Sequence, residues 1–140
     1  LILLFAVKIS LMFETLGKLQ ALYALAFFLS LHSLSRAASG ALIYTSKYVQ
    51  EDKKSKAKPL ATGMSGSSLL FLIIIGVLPL ILFKNPLVFI AIIPVFLTSF
   101  IAGKYFEKWI GGYTGDCLGA TQQICEVVFM ASFAVILKFL

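Results

Sequence analysis

Two runs of the chain, residues 66–83 and 87–103, contain no charged side chain and are separated only by the tripeptide KNP at 84–86. Each is close to the ~20-residue helix that crosses the hydrocarbon core of a bilayer. Backbone N–H and C=O groups find no water there, so a spanning run must satisfy them internally as a helix. Barrel strands would alternate in hydropathy over about ten residues, and these runs do not alternate. The KNP break is a turn signal that makes the two runs a helical hairpin.

The rest of the chain extends the pattern. A long apolar stretch covers 19–46, interrupted by HSLSRAASG, and 117–139 forms a last span. Residues 1–13 are apolar but too short to cross, and read as the tail of a truncated span. The expected fold is all-α: a polytopic integral membrane helical bundle, a single transmembrane domain over 1–140. About four complete transmembrane helices are expected, plus a partial N-terminal one. The composition agrees. With 60% hydrophobic and 13% charged residues among 140, a soluble domain could not hide the apolar surface. Pro79 and Pro94 fall inside spans, where kinks are expected and neighbouring helices satisfy the freed carbonyls. The opening LILLFAVKIS has no initiator Met, no basic n-region and no small-residue cleavage site, and reads as a piece of a longer protein.

The net charge of +6 reflects topology rather than nucleic acid, because no arginine-rich patch or aromatic platform accompanies the lysines. The polar loops 47–63 and 104–116 hold Lys47, Lys53, Lys54, Lys56, Lys58, Lys104 and Lys108, whereas Lys18, Lys84 and Lys138 sit on the opposite connections and tail. Alternation of spans puts both lysine-rich segments on one side, and the positive-inside bias makes that side cytoplasmic. The lysines of 47–63 are read either as this orientation signal or as a lure for an anionic substrate.

Several enzyme chemistries are excluded. One histidine, placed mid-span, makes no Ser-His-Asp constellation, and paired carboxylates for glycoside chemistry are absent. Cys117 and Cys125 lie on one helix, about 12 Å apart along its axis and too far for a disulfide. Without a CxxC pair, a structural zinc site is not indicated.

Charges inside spans are costly and therefore informative. An arginine at a span centre costs at least ~2.5–3.5 kcal/mol. Arg36 precedes Lys47 by eleven residues, or about 16 Å of helix. His32 and Ser39 share its face. Glu126 follows Asp116 by ten residues, about 15 Å into the membrane. The matching depths predict that Arg36 and Glu126 face a common polar interior, paired directly or sharing one ligand. Asp116, Gly119, Gln123 and Glu126 fall on one broad helix face, where Gly119 and Ala120 permit close approach of a helix or a ligand. Asp116 is read either as a helix N-cap or as a chemical group, and the two roles do not exclude each other. It lies too far from Glu126 to share a metal ion with it. The loop GGYTGD opens onto the helix N-terminus, where backbone N–H groups can cradle a phosphate. It matches neither GxxxxGK[ST] nor GxGxxG.

The stretch GGYTGDCLGATQQICEVVF, through Gly111, Gly112, Thr114, Gly115, Asp116, Leu118, Gly119, Ala120 and Glu126, resembles the C-terminal signature of the cobalamin 5'-phosphate synthase family. That family is also called adenosylcobinamide-GDP ribazoletransferase. The upstream SLSRAASGALIYTSKYVQED is similar to the family's segment at Ser35, Arg36 and Tyr44. The family's Asp-Gly-x-x-Asp stretch has no match here, so the piece resembles roughly the C-terminal half of such an enzyme. The resemblance implies a prokaryotic inner-membrane transferase acting late in cobalamin biosynthesis. It would join adenosylcobinamide-GDP and α-ribazole, or its 5'-phosphate, with release of GMP and with magnesium as the ion. It further implies Asp116 as a catalytic residue and metal ligand. Ser35, Arg36, Gly111, Gly112, Thr114, Gly115, Gly119, Gln123 and Glu126 would form the substrate site, with Arg36 on phosphate. The remaining metal ligands would come from the unmatched acidic stretch.

The alternative is a transporter or channel module with Arg36 and Glu126 lining its path. A transporter would continue its polar lining to the far side, yet VVFMASFAVILKFL after Glu126 is almost wholly apolar, which favours the enzyme. The lipid bilayer is an expected partner, nucleic acid is not, and a homo-oligomer is compatible with the sequence.

Overall fold

A computed structural model describes residues 2–49 and 63–139. Glu51, Asp52 and the lysines at 53–58, on which part of the charge reading rests, lie outside the described residues. Among the described residues six α-helices follow one another: α1 (Ile2–Leu16), α2 (Ala21–Gly40), α3 (Leu42–Thr45), α4 (Gly66–Val77), α5 (Ile92–Ile110) and α6 (Gly115–Ile136). Two 3-10 segments, Leu78–Phe83 and Pro86–Ala91, lie between α4 and α5. Among the described residues four units are long and apolar enough to cross a membrane: Ala21–Thr45, Gly66–Phe83, Pro86–Ile110 and Gly115–Ile136. The protein is an integral membrane helical bundle, as expected, and the short N-terminal run forms a helix of fifteen residues.

The helix ends follow local chemistry. The Ser65 hydroxyl caps α4 by accepting from the Ser68 N–H at 3.2 Å. Pro79 has no N–H to donate to the preceding turn, and here the α-helix tightens into the 3-10 segment Leu78–Phe83. Lys84 then takes a left-handed conformation, and the Asn85 side chain accepts from the Leu87 N–H at 2.9 Å to start the return span.

The polar segment 104–116 is not all loop. Helix α5 continues to Ile110, and α6 already begins at Gly115. Lys104 and Glu107, one turn apart, pair at 3.0 Å, and the helix stops only where Gly111 takes φ +78 and returns its N–H to the Glu107 carbonyl. The charges were those of an exposed helical turn.

Helix α2 is the centre of the bundle and packs on α4, α5 and α6. Between membrane helices the contact is driven by close packing and hydrogen bonds, which favour small residues. Gly76 of α4 sits so near Ala37 that an added Cβ would lie 2.4 Å from the Ala37 Cβ. Ser33 Oγ donates to the Gly76 carbonyl at 2.9 Å and Ser99 Oγ to the Ala38 carbonyl. Large apolar groups fill the half of the bundle remote from Asp116. There Phe27, Phe83, Phe129 and Phe133 interlock, with ring centroids 4.9 Å apart for Phe83–Phe133 and 5.1 Å for Phe27–Phe133.

Candidate functional site

The loop between α5 and α6 is pinned to the segment after α3. Tyr113 N–H donates to the Lys47 carbonyl and Val49 N–H to the Tyr113 carbonyl, both at 2.9 Å, making a parallel bridge between Tyr48 and Tyr113. The two tyrosine rings meet edge to face at 5.5 Å. Burial, with Tyr48 beside it, pushes the Tyr113 hydroxyl above the ordinary phenol range, so it stays neutral at physiological pH.

This bridge changes the roles of the glycines. A Cβ on Gly112 would lie 2.0 Å from the Lys47 carbonyl oxygen, so Gly112 serves the contact between the two segments. Gly111 serves the end of α5. Two amides that a phosphate cradle would use, those of Gly111 and Tyr113, already have backbone acceptors. The amides of Gly115 and Asp116, in the first turn of α6, have no intrahelical acceptor. The cap is Thr114, whose hydroxyl accepts from the Cys117 N–H at 3.4 Å. Asp116 is therefore not the N-cap. It is an exposed carboxylate in the first turn, where the helix dipole favours it.

Below it the α6 face is open. Asp116, Gly119 and Ala120 are exposed and Gln123 is half-buried. No atom lies within 4 Å of a Cβ built on Gly119 or on Gly115. The face closes at Glu126, which is buried.

Glu126 pairs with Lys8 of α1, not with Arg36. Lys8 Nζ donates to Glu126 Oε2 at 2.5 Å and to Gln123 Oε1. Gln122 Nε2 donates to Glu126 Oε1 at 3.1 Å, and His32 Nδ1 lies 3.4 Å from the same oxygen. Arg36, one turn along α2 from His32, is exposed and has no ion-pair partner among the described residues. With Phe28, Leu29, His32 and Ser33 it lines a groove of about 340 Å³. The expected common interior thus takes another form: His32 links the Arg36 groove to Glu126, and the direct partner of Glu126 is a lysine. Ser35 is buried, with its Oγ bonded back to the His32 carbonyl at 3.3 Å, and does not line that groove.

Lys8 escaped the sequence reading. It lies in the apolar run 1–13, whose length alone marks only a truncated span. Its signal was available, because a lone charge among LILLFAV and ISLMF needs a counter-charge in another helix.

Asp116 is the one exposed carboxylate on the open face. Among the described residues no three His, Cys, Asp or Glu side chains cluster as a metal site. A magnesium ion shared with substrate phosphates takes a carboxylate or two from the protein. The described residues do not make a magnesium site by themselves. Cys117 and Cys125 are free thiols. Among the described residues, Phe27, Phe129 and Phe133 fill the core beyond Glu126, which does not favour a transport path.

A family model for cobalamin-5-phosphate synthase matches residues 1–134. The adenosylcobinamide-GDP ribazoletransferase of Shewanella frigidimarina is 42% identical over 96 residues, which cover 69% of this chain and 37% of that protein. The protein of the same name from Shewanella amazonensis is 42% identical over 98 residues, 69% of this chain and 38% of the relative. The match spans less than two fifths of these curated relatives. No solved structure matches the chain.

Proposed function

The chain belongs to the cobalamin-5-phosphate synthase family, and on that premise we propose that it works in an integral-membrane transferase joining adenosylcobinamide-GDP to α-ribazole or its 5'-phosphate. A ribazole hydroxyl attacks the cobinamide-side phosphorus. The new P–O bond forms there, the bond to the GMP oxygen breaks, GMP leaves with that oxygen, and the hydroxyl proton passes to water. The names of the relatives support this substrate class.

The observation that carries the reading is the open α6 face. An exposed carboxylate, an unfilled glycine surface and a helix N-terminus with available amides stand at one end of an otherwise apolar bundle. Phosphoryl-type transfer asks the protein mainly for positioning and charge stabilisation. The Gly115 and Asp116 amides and the α6 dipole suit a phosphate. Arg36, with no ion-pair partner among the described residues, suits a second anionic oxygen pair through its planar fork. Gln123 would donate to or accept from the ligand, and Glu126 would hold its neighbours in place.

Magnesium belongs to the proposal as an ion shared with the phosphates, to which Asp116 contributes one ligand; when bound it would offset phosphate charge. The other ligands would come from segments of the family that this chain does not match. The same reading places the Asp116 end at the cytoplasmic face of a prokaryotic inner membrane. Lys47, Lys104 and Lys108 lie at that end, as do the exposed Tyr105 and Trp109, a composition suited to an interface with anionic headgroups. The test is GMP release from adenosylcobinamide-GDP and α-ribazole by the full-length parent in magnesium buffer. Turnover supports the reading, and a folded parent without turnover overturns it.

A further inference from the structure

We propose that Lys8 is a positioning residue for this transfer, fixing Gln123 and Glu126 on the α6 face that carries Asp116 and Gly119. The inference rests on the transferase reading above.

Lys8 and Glu126 are the most enclosed ion pair among the described residues, with side chains 11% and 6% exposed. An ammonium has three donors and no acceptor. Lys8 therefore draws the Gln123 carbonyl oxygen toward itself and turns the Gln123 NH2 away. Its second bond holds Glu126 Oε2, while the other oxygen of Glu126 takes Gln122 and faces His32. One cation thus sets two side chains a turn apart on α6. Gln123 is one turn from Gly119 and two from Asp116, so its orientation shapes the lower wall of the open face.

The packing of α1 says the same. Thr15 is its one buried residue, and Ile2, Leu3, Phe5, Val7, Ile9 and Phe13 are exposed. Lipid is as apolar as these side chains, so they give α1 little reason to prefer α6. Leu11, Met12 and Leu16 on its inner side pack against the core, and Lys8 adds the polar contact to α6. A lysine kept only to hold helices together could be exchanged, with its partner, for a neutral pair, since a buried ion pair is commonly replaceable by uncharged groups at little cost. A lysine that orients Gln123 could not.

The test uses the full-length parent in detergent or nanodiscs and four variants: Lys8→Met, Lys8→Arg, Lys8→Met/Glu126→Gln, and Gln123→Ala. Melting temperature is read beside kcat and KM for adenosylcobinamide-GDP. Lys8→Met should lose both stability and turnover. The neutral double variant should regain the parent melting temperature and still show kcat/KM lower by about tenfold, the scale of one lost hydrogen bond at a reacting ligand. Lys8→Arg should recover part of the turnover. Gln123→Ala, with the ion pair intact, should show a similar loss at an unchanged melting temperature. A double variant equal to the parent in both readouts overturns the proposal. So does a parent-like Gln123→Ala, even where the double variant fails to fold. Either result in an active parent leaves the transferase reading standing, whereas an inactive, folded parent removes both.

Discussion

Gly112 lies against Lys47 with no room for a side chain: a Cβ would sit 2.0 Å from the Lys47 carbonyl oxygen. The contact ties the entrance of α6 to the exit of α3, next to the first turn that carries Asp116. Gly111, its neighbour, is in open space but left-handed. The two glycines therefore fail differently. Gly112→Ala should cost about 2 kcal/mol or more, because backbone must move, whereas Gly111→Ala should cost about 1 kcal/mol for the left-handed conformation alone. Thermal melts of the purified variants in detergent check the order. Equal losses would mean that the bridge does not form.

Thr114 caps α6, so Thr114→Ala should lower stability by about 1 kcal/mol. Loss of turnover beyond that would follow from fraying of the first turn, where the free amides lie. Thr114→Ser, which keeps the capping oxygen, should restore the melt. Measuring both variants separates the hydroxyl from the methyl.

Gly119 offers the cleanest probe of the open face. Alanine there meets no neighbour and should raise helix stability by about 0.5–1 kcal/mol. Gly119→Leu should melt no lower than the parent and yet lose most transferase turnover, because its side chain fills the space proposed for substrate. Parent-like turnover of Gly119→Leu would place the substrate elsewhere.

Arg36 and Glu126, grouped by depth in the sequence, should separate in experiment. Arg36 is exposed and unpaired among the described residues, so Arg36→Gln should leave the melting temperature unchanged while raising KM for the phosphate-bearing substrate. Glu126→Ala strands the largely enclosed Lys8 charge and should cost about 3 kcal/mol. Paired melts and steady-state kinetics check both.

These contrasts mark how far the sequence could be read. Spans were evident because uncharged runs of membrane length admit few folds. The end of α5 was misplaced because Lys104, Glu107 and Lys108 look alike in a loop and on an exposed helical turn. Depth along a helix could be counted, so Glu126 and Arg36 were found as buried-level charges, but depth does not give azimuth. Only packing shows that His32 faces Glu126 and that Lys8 reaches it from α1. The glycines of GGYTGD were visible, and their separate duties were not, since those depend on Lys47, more than sixty positions away.

The decisive measurement is GMP release by the full-length parent and its Asp116→Asn variant at matched protein level and melting temperature. Asp116 is exposed and does not cap α6, so its amide should fold as the acid does. Turnover in the parent that falls by at least about a hundredfold in the variant, the scale of losing a charged group that acts at the reacting phosphate, is the predicted result. Equal turnover in the two proteins would contradict it and remove Asp116 from the chemistry.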